Sequence, residues 1–77
     1  MKEPRYKFIS RGDGHAFIEY LDVPPGIHGK VKIVAYRQCG YHFESAYYDG
    51  KLLARASRWR PVVRAAYKAI LKKAARV

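Results

Sequence analysis

Apolar and polar positions alternate through the first two-thirds of the chain and then change period. From Arg5 to Arg11 (RYKFISR), Tyr6 and Phe8 fall on one side of an extended strand and Arg5, Lys7 and Arg11 on the other, with Gly12-Asp13-Gly14 following as a turn. Ala16 to Asp22 (AFIEYLD), rich in aromatic and β-branched residues, reads as the returning strand. Pro24-Pro25-Gly26 ends it, because proline has no N–H to give to a ladder. After a loop through Gly29, Lys30 to Gln38 (KVKIVAYRQ) sets Val31, Ile33 and Ala35 against Lys32, Val34 and Tyr36. Cys39-Gly40 is a two-residue turn, and Tyr41 to Tyr48 (YHFESAYY) sets Tyr41, Phe43, Ser45 and Tyr47 against His42, Glu44, Ala46 and Tyr48. Asp49-Gly50 is the sharpest hairpin signal, since a type I′ turn needs positive φ at both central positions. Lys51 to Ser57 (KLLARAS) is the last strand.

Beyond Pro61 the period becomes helical. At about 100° per residue, Val63, Ala66, Tyr67, Ile70, Ala74 and Val77 share one side, while Arg64, Lys68, Lys72 and, nearer the edge, Arg76 share the other. Pro61 suits the first turn, where its missing N–H costs nothing. The pattern predicts an α+β fold: a four- to five-stranded antiparallel meander sheet packed by one C-terminal amphipathic helix, in a single small domain spanning residues 1–77. At this length the core is small, and about 60 % of the chain's surface can be buried.

Charge adds a functional direction. The chain carries sixteen Lys and Arg against six acids, a net +10. Residues 55–77 hold eight of the sixteen bases and none of the acids, so this third carries +8. Like charges at i, i+4 repel on an isolated helix, and Arg58, Arg60 and Arg64 crowd the end where the helix dipole is already positive. An anion docked there would relieve the strain, and a polyanion is the partner class that fits. The expected phosphate contacts are Arg55, Arg58, Arg60, Arg64, Lys68 and Lys72, helped by Lys30, Lys32 and Arg37 from the sheet. Seven tyrosines, three phenylalanines and a tryptophan are more than one helix can cover. Some of Tyr36, Tyr41, Phe43, Tyr47 and Tyr48 are therefore candidates for an outward stacking surface beside those sheet cations. Trp59 is expected to act as a lid on the core.

Other chemistry has less to build on. His15, His28 and His42 do not stand at metal-ligand spacing with each other or with Cys39, so neither a metal nor a cofactor is expected. A lone cysteine forms no internal disulfide, no apolar run approaches the ~18 residues that span a bilayer, and no signal-peptide core is visible. A cytoplasmic protein without a membrane partner is the expectation. His15 after Gly12-Asp13-Gly14 is the one candidate for acid–base work, and this stretch is similar in outline to the small HicA-type messenger-RNA interferase toxins. The expectation is nevertheless that the protein is not an enzyme and has no catalytic residue.

Tyr41 to Leu71 (YHFESAYYDGKLLARASRWRPVVRAAYKAIL) resembles the second half of a double-stranded-RNA-binding domain: strand, tight turn, strand, then a helix after a serine and basic residues. Ser57, Arg58, Ala65, Ala66, Ala69 and Ile70 match that family's serine, first basic residue, paired alanines and closing alanine-leucine. Trp59 and Val62 stand where the family places lysines on phosphate, Pro61 replaces an alanine, and no helix precedes the first strand. The readings that follow are a non-enzymatic protein bound to DNA or RNA, a small regulator of phage or mobile-element type docked on a larger acidic protein, and a small metal-independent ribonuclease.

Overall fold

The computed structural model describes residues 3–75. Arg76 and Val77, which the helical pattern includes, lie outside the described residues. Five strands, β1 (Tyr6–Gly12), β2 (His15–Tyr20), β3 (Lys30–Gln38), β4 (Tyr41–Tyr48) and β5 (Lys51–Ala56), precede one helix, α1 (Trp59–Ala75). Each strand pairs antiparallel with the next, giving one open sheet in the order β1-β2-β3-β4-β5. The two tight hairpins owe their register to left-handed turn residues: φ is 53° and 80° at Cys39 and Gly40, and 51° and 80° at Asp49 and Gly50.

One side of the sheet is the core side. Ala16, Ile18 and Tyr20 of β2, Val31 and Ile33 of β3, and Ala46 and Tyr48 of β4 are buried there against Val62, Val63, Ala66 and Ile70 of α1. Each large aliphatic side chain among them contributes about 1.5–3 kcal/mol by leaving water. Hydroxyls on the sheet and the helix fasten the layers. Tyr20 donates to the Val63 carbonyl at 2.7 Å, Tyr67 donates to the Asp22 carbonyl, and the Trp59 indole N–H donates to the Tyr6 hydroxyl at 2.8 Å. Burial pushes the Tyr20 hydroxyl well above the ordinary tyrosine range. Trp59 is half-buried and stacks on Phe8 with ring centroids 5.7 Å apart. Gly29 is needed for close approach, since a Cβ there would lie 2.6 Å from the Tyr20 carbonyl oxygen.

The helix begins two residues before Pro61. The Arg58 carbonyl accepts the Val62 N–H, so Arg58 is the N-cap and Pro61 the third helical residue, whose N–H would have been an orphan in any case. Five alanines together with Leu71 and the long basic side chains supply helix propensity. Lys72 and Lys73 in the last turn suit the dipole.

Both edge strands carry a bulge, and these move residues from where simple alternation puts them. In β1 the register shifts between Phe8 and Ser10, so Arg11 pairs with Ala16 and its guanidinium lies 4.8 Å from the centre of the Phe8 ring. Arg11 therefore shares the side of Phe8, opposite to the expected one. In β5 the shift falls between the partners of Ala46 and Tyr47 and leaves Leu53 as the extra residue. Bulges on both edges also discourage pairing with another chain's strand.

Candidate nucleic-acid interface

Burying Val62, Val63, Ala66 and Ile70 dictates what α1 shows to solvent. Arg64, Lys68 and Lys72 stand on the opposite side with Arg60 at its margin, all four exposed. Twelve residues separate the ends of this stripe, about 18 Å of helix axis. Lys73 is not part of it: its ammonium turns back to within 6.0 Å of the Tyr48 ring centre. Arg64 is also set apart. Its guanidinium is bound by both Nε, at 2.8 Å, and Nη2 to Glu3, and the pairing holds the Glu3 carboxyl below the usual carboxylate range. Arg60, Lys68 and Lys72 have no carboxylate within ion-pair distance among the described residues. The same is true of Arg58 at the N-cap.

The side of the sheet away from α1 has a different make-up. Register places its residues in rows across the strands. Ser10, Phe17, Lys32, Tyr47 and Leu52 form one row, His15, Val34, Ser45 and Arg55 the next, and Tyr36 and Phe43 a third. Lys32 sits between two rings, its ammonium 5.7 Å from the Phe17 ring centre. Arg55 lies 5.9 Å from the Tyr36 ring centre, and Tyr36 stacks on Phe43 at 5.6 Å. Phe17, Lys32 and Tyr47, together with Lys7 and Lys30, line an open trough of about 1210 Å³.

The two acids beside the trough are already engaged. Glu19 faces Lys7 at 3.6 Å, and Asp49 accepts from His28 Nε2 at 2.8 Å while the His28 ring stacks on Tyr48 and its Nδ1 accepts the Lys30 N–H. Lys30, Lys32 and Arg55 are left without a carboxylate partner among the described residues. At the centre of this side Ser45 is 1 % exposed, and its hydroxyl oxygen has no hydrogen-bond partner.

The residues expected to meet phosphate are thus divided between two surfaces. Arg60, Arg64, Lys68 and Lys72 belong to α1 with Arg58 at its start; Lys30, Lys32 and Arg55 belong to the open side of the sheet, behind the core. Arg37 joins neither group. It alternates with Lys32 and Tyr36, pairs with His42, and so lies on the sheet side that Ile33 and Ala35 occupy. Tyr36, Tyr41, Phe43 and Tyr47 do face outward, whereas Tyr48 is a core residue. Phe17, 36 % exposed and lining the trough, is not among the aromatics that the sequence pattern singles out. Its alternation with Ile18 is the signal that finds it, once the core side of β2 is known.

His15 opens β2 at the rim of the same side. It is exposed, with Nδ1 3.1 Å from the Asp13 carbonyl and its ring edge-on to Phe17. His42 lies 3.6 Å from Glu44 on the core side. Among the described residues no cluster of three His, Cys, Asp or Glu side chains is placed to hold a metal ion. No helix among them is long and apolar enough to cross a membrane. Comparison of the chain with protein-family models, with curated proteins and with solved structures finds no match.

Proposed function

We propose that the protein is a non-enzymatic nucleic-acid-binding domain that lays the outer side of α1 along the phosphate backbone of a duplex. The observation that carries this reading is the stripe of Arg60, Lys68 and Lys72, which is exposed, of one sign and without carboxylate partners among the described residues. Such side chains displace condensed counterions from the duplex, so binding should weaken steeply with salt and discriminate poorly between sequences. The likeness of residues 41–71 to part of a double-stranded-RNA-binding domain makes duplex RNA as good a probe as duplex DNA.

The test is fluorescence anisotropy with both duplexes across a salt series. Replacing Arg60, Lys68 and Lys72 together with glutamine should lower affinity roughly tenfold or more and flatten the logarithmic salt slope by about 2.7, because each neutralised phosphate accounts for about 0.9 of that slope. A variant that binds as tightly as the parent, with the same slope, would overturn the reading. A chain that ignores duplexes but is retained by an acidic protein through these residues would replace it with docking on a larger partner.

A further inference from the structure

We infer that the open side of the sheet is a second site, built for single-stranded nucleic acid, in which unpaired bases stack on Phe17 and Tyr47 while Lys32, Lys30 and Arg55 meet the phosphates. The class of partner rests on the duplex reading above, but none of the residues is shared with it. Phe17, Lys32 and Tyr47 stand side by side on β2, β3 and β4 in one row of the register. Neighbouring strands are about 4.8 Å apart, so Phe17 and Tyr47 flank Lys32 with roughly 10 Å between their backbones, and the Lys32 ammonium leans over the Phe17 ring. A single strand offers the same alternation of flat base and charged phosphate.

Sheet surfaces that bind single strands work in this way, with two or three bases stacked on aromatic side chains. These rings are not needed for the core, which lies on the other side of the sheet and takes Tyr48 from β4. Phe17 remains 36 % exposed.

Other occupants fit less well. Two copies of a +10 chain meeting through this side would bring Lys30, Lys32 and Arg55 against their own counterparts, with both nearby acids already held by Lys7 and His28. A duplex hides its base faces, so of the two nucleic-acid forms the unpaired strand is the one that uses both kinds of group.

The experiment measures anisotropy of labelled oligothymidylate, oligouridylate and a hairpin duplex with the full chain and three variants. Phe17→Leu combined with Tyr47→Leu keeps apolar bulk but removes the ring faces. It should weaken single-strand binding by about tenfold or more, since stacking contributes about 1–3 kcal/mol per base, and leave duplex affinity unchanged. Lys32→Gln, which removes only a charge from an exposed position, should reduce the single-strand salt slope by about 0.7. The glutamine variant of α1 should lose duplex and keep single strand. Binding of either sugar type supports the proposal.

Absence of single-strand binding by the parent overturns it even if duplex binding stands. Single-strand affinity that falls in the α1 variant but not in the sheet variants also overturns it, because the strand would then lie on the helix. So does a concentration-dependent dimer, seen by sedimentation, that Phe17→Leu abolishes. Duplex affinity that survives in the α1 variant sinks the duplex reading alone and leaves the sheet site standing on its own data.

Discussion

On the outer side of α1 the cations stand alone, Arg60, Lys68 and Lys72 rising from a surface of alanine and leucine, whereas on the open side of the sheet Lys30, Lys32 and Arg55 stand among Phe17, Tyr36 and Tyr47. Backbone geometry produces the difference. A helix buries one stripe, and the rest of its residues need only be good helix formers that tolerate water, which favours alanine, lysine and arginine. A strand sends every second residue to the far side of the sheet. There the pleat favours aromatic and β-branched residues even when nothing covers them. On the proposed reading, charge of one sign on the first surface grips a backbone at any sequence. The second surface has in addition the flat apolar faces that a duplex does not ask for.

The largest effect follows from their separation. Core and sheet lie between the two surfaces, which come nearest to each other where β5 leads into α1. Duplex and single strand should therefore bind together. With duplex at a hundredfold excess over its own dissociation constant, single-strand affinity should change less than about threefold, whereas one shared site would lower it about a hundredfold. Capture of labelled single strand on immobilised duplex through the protein reads this directly. Mutual exclusion would break the distinction between the surfaces.

How much of this can be read from sequence depends on the range of the interaction. The strands from Lys30 to Tyr48 are plain, because Cys39-Gly40 and Asp49-Gly50 fix two hairpins locally and every alternating residue between them supports the same register. The helix is equally plain, apart from its first turn. What alternation cannot reveal is an extra residue. The bulge at Ile9 turns Arg11 toward Phe8, and nothing in RYKFISR marks it. Nor does alternation say which side of β3 the helix covers, since Val31-Ile33-Ala35 and Val34-Tyr36 are both apolar enough. That single unknown decides whether Lys30 and Lys32, or instead Arg37, share the side of the sheet that the helix covers. The Arg64–Glu3 pair joins residues 61 apart in sequence and needs the fold to be seen.

A smaller effect tests whether the two surfaces depend on one scaffold. The Tyr20 hydroxyl donates to the Val63 carbonyl in the buried layer between them. Tyr20→Phe removes that hydrogen bond at the cost of about 1–2 kcal/mol, or a fall in Tm of roughly 5–15 °C for a domain of this size. Below the transition both affinities should be unchanged, because the ring still fills its place and neither surface contains it. Tyr67→Phe, whose partner Asp22 lies at the exposed edge, should cost less. Loss of duplex binding alone in folded Tyr20→Phe would show that α1 is held in its binding pose by this one strut.

The smallest effect concerns Arg64, the helix cation that Glu3 already answers. Glu3 neutralises Arg64, so Arg64 should contribute less to duplex binding than Lys68, and Glu3→Gln should tighten binding a few-fold and steepen the salt slope by up to about 0.9. The pH dependence has a defined sign. Arg64 depresses the Glu3 carboxyl in the folded chain. The stabilisation is therefore fully present above the ordinary glutamate value of about 4.3 and is lost as pH falls through the lower, folded one. Asp22, held down by Arg5, behaves in the same way. Protonating Glu3 releases Arg64 just as the substitution does, so duplex affinities of the parent and Glu3→Gln should converge as the solution is acidified through this window. Single-strand affinities of the two should agree at every pH, because Glu3 and Arg64 lie on the helix side. A gap in duplex affinity that stays constant on acidification would mean that Glu3 repels phosphate by its own charge through some other contact and is not what holds Arg64 back.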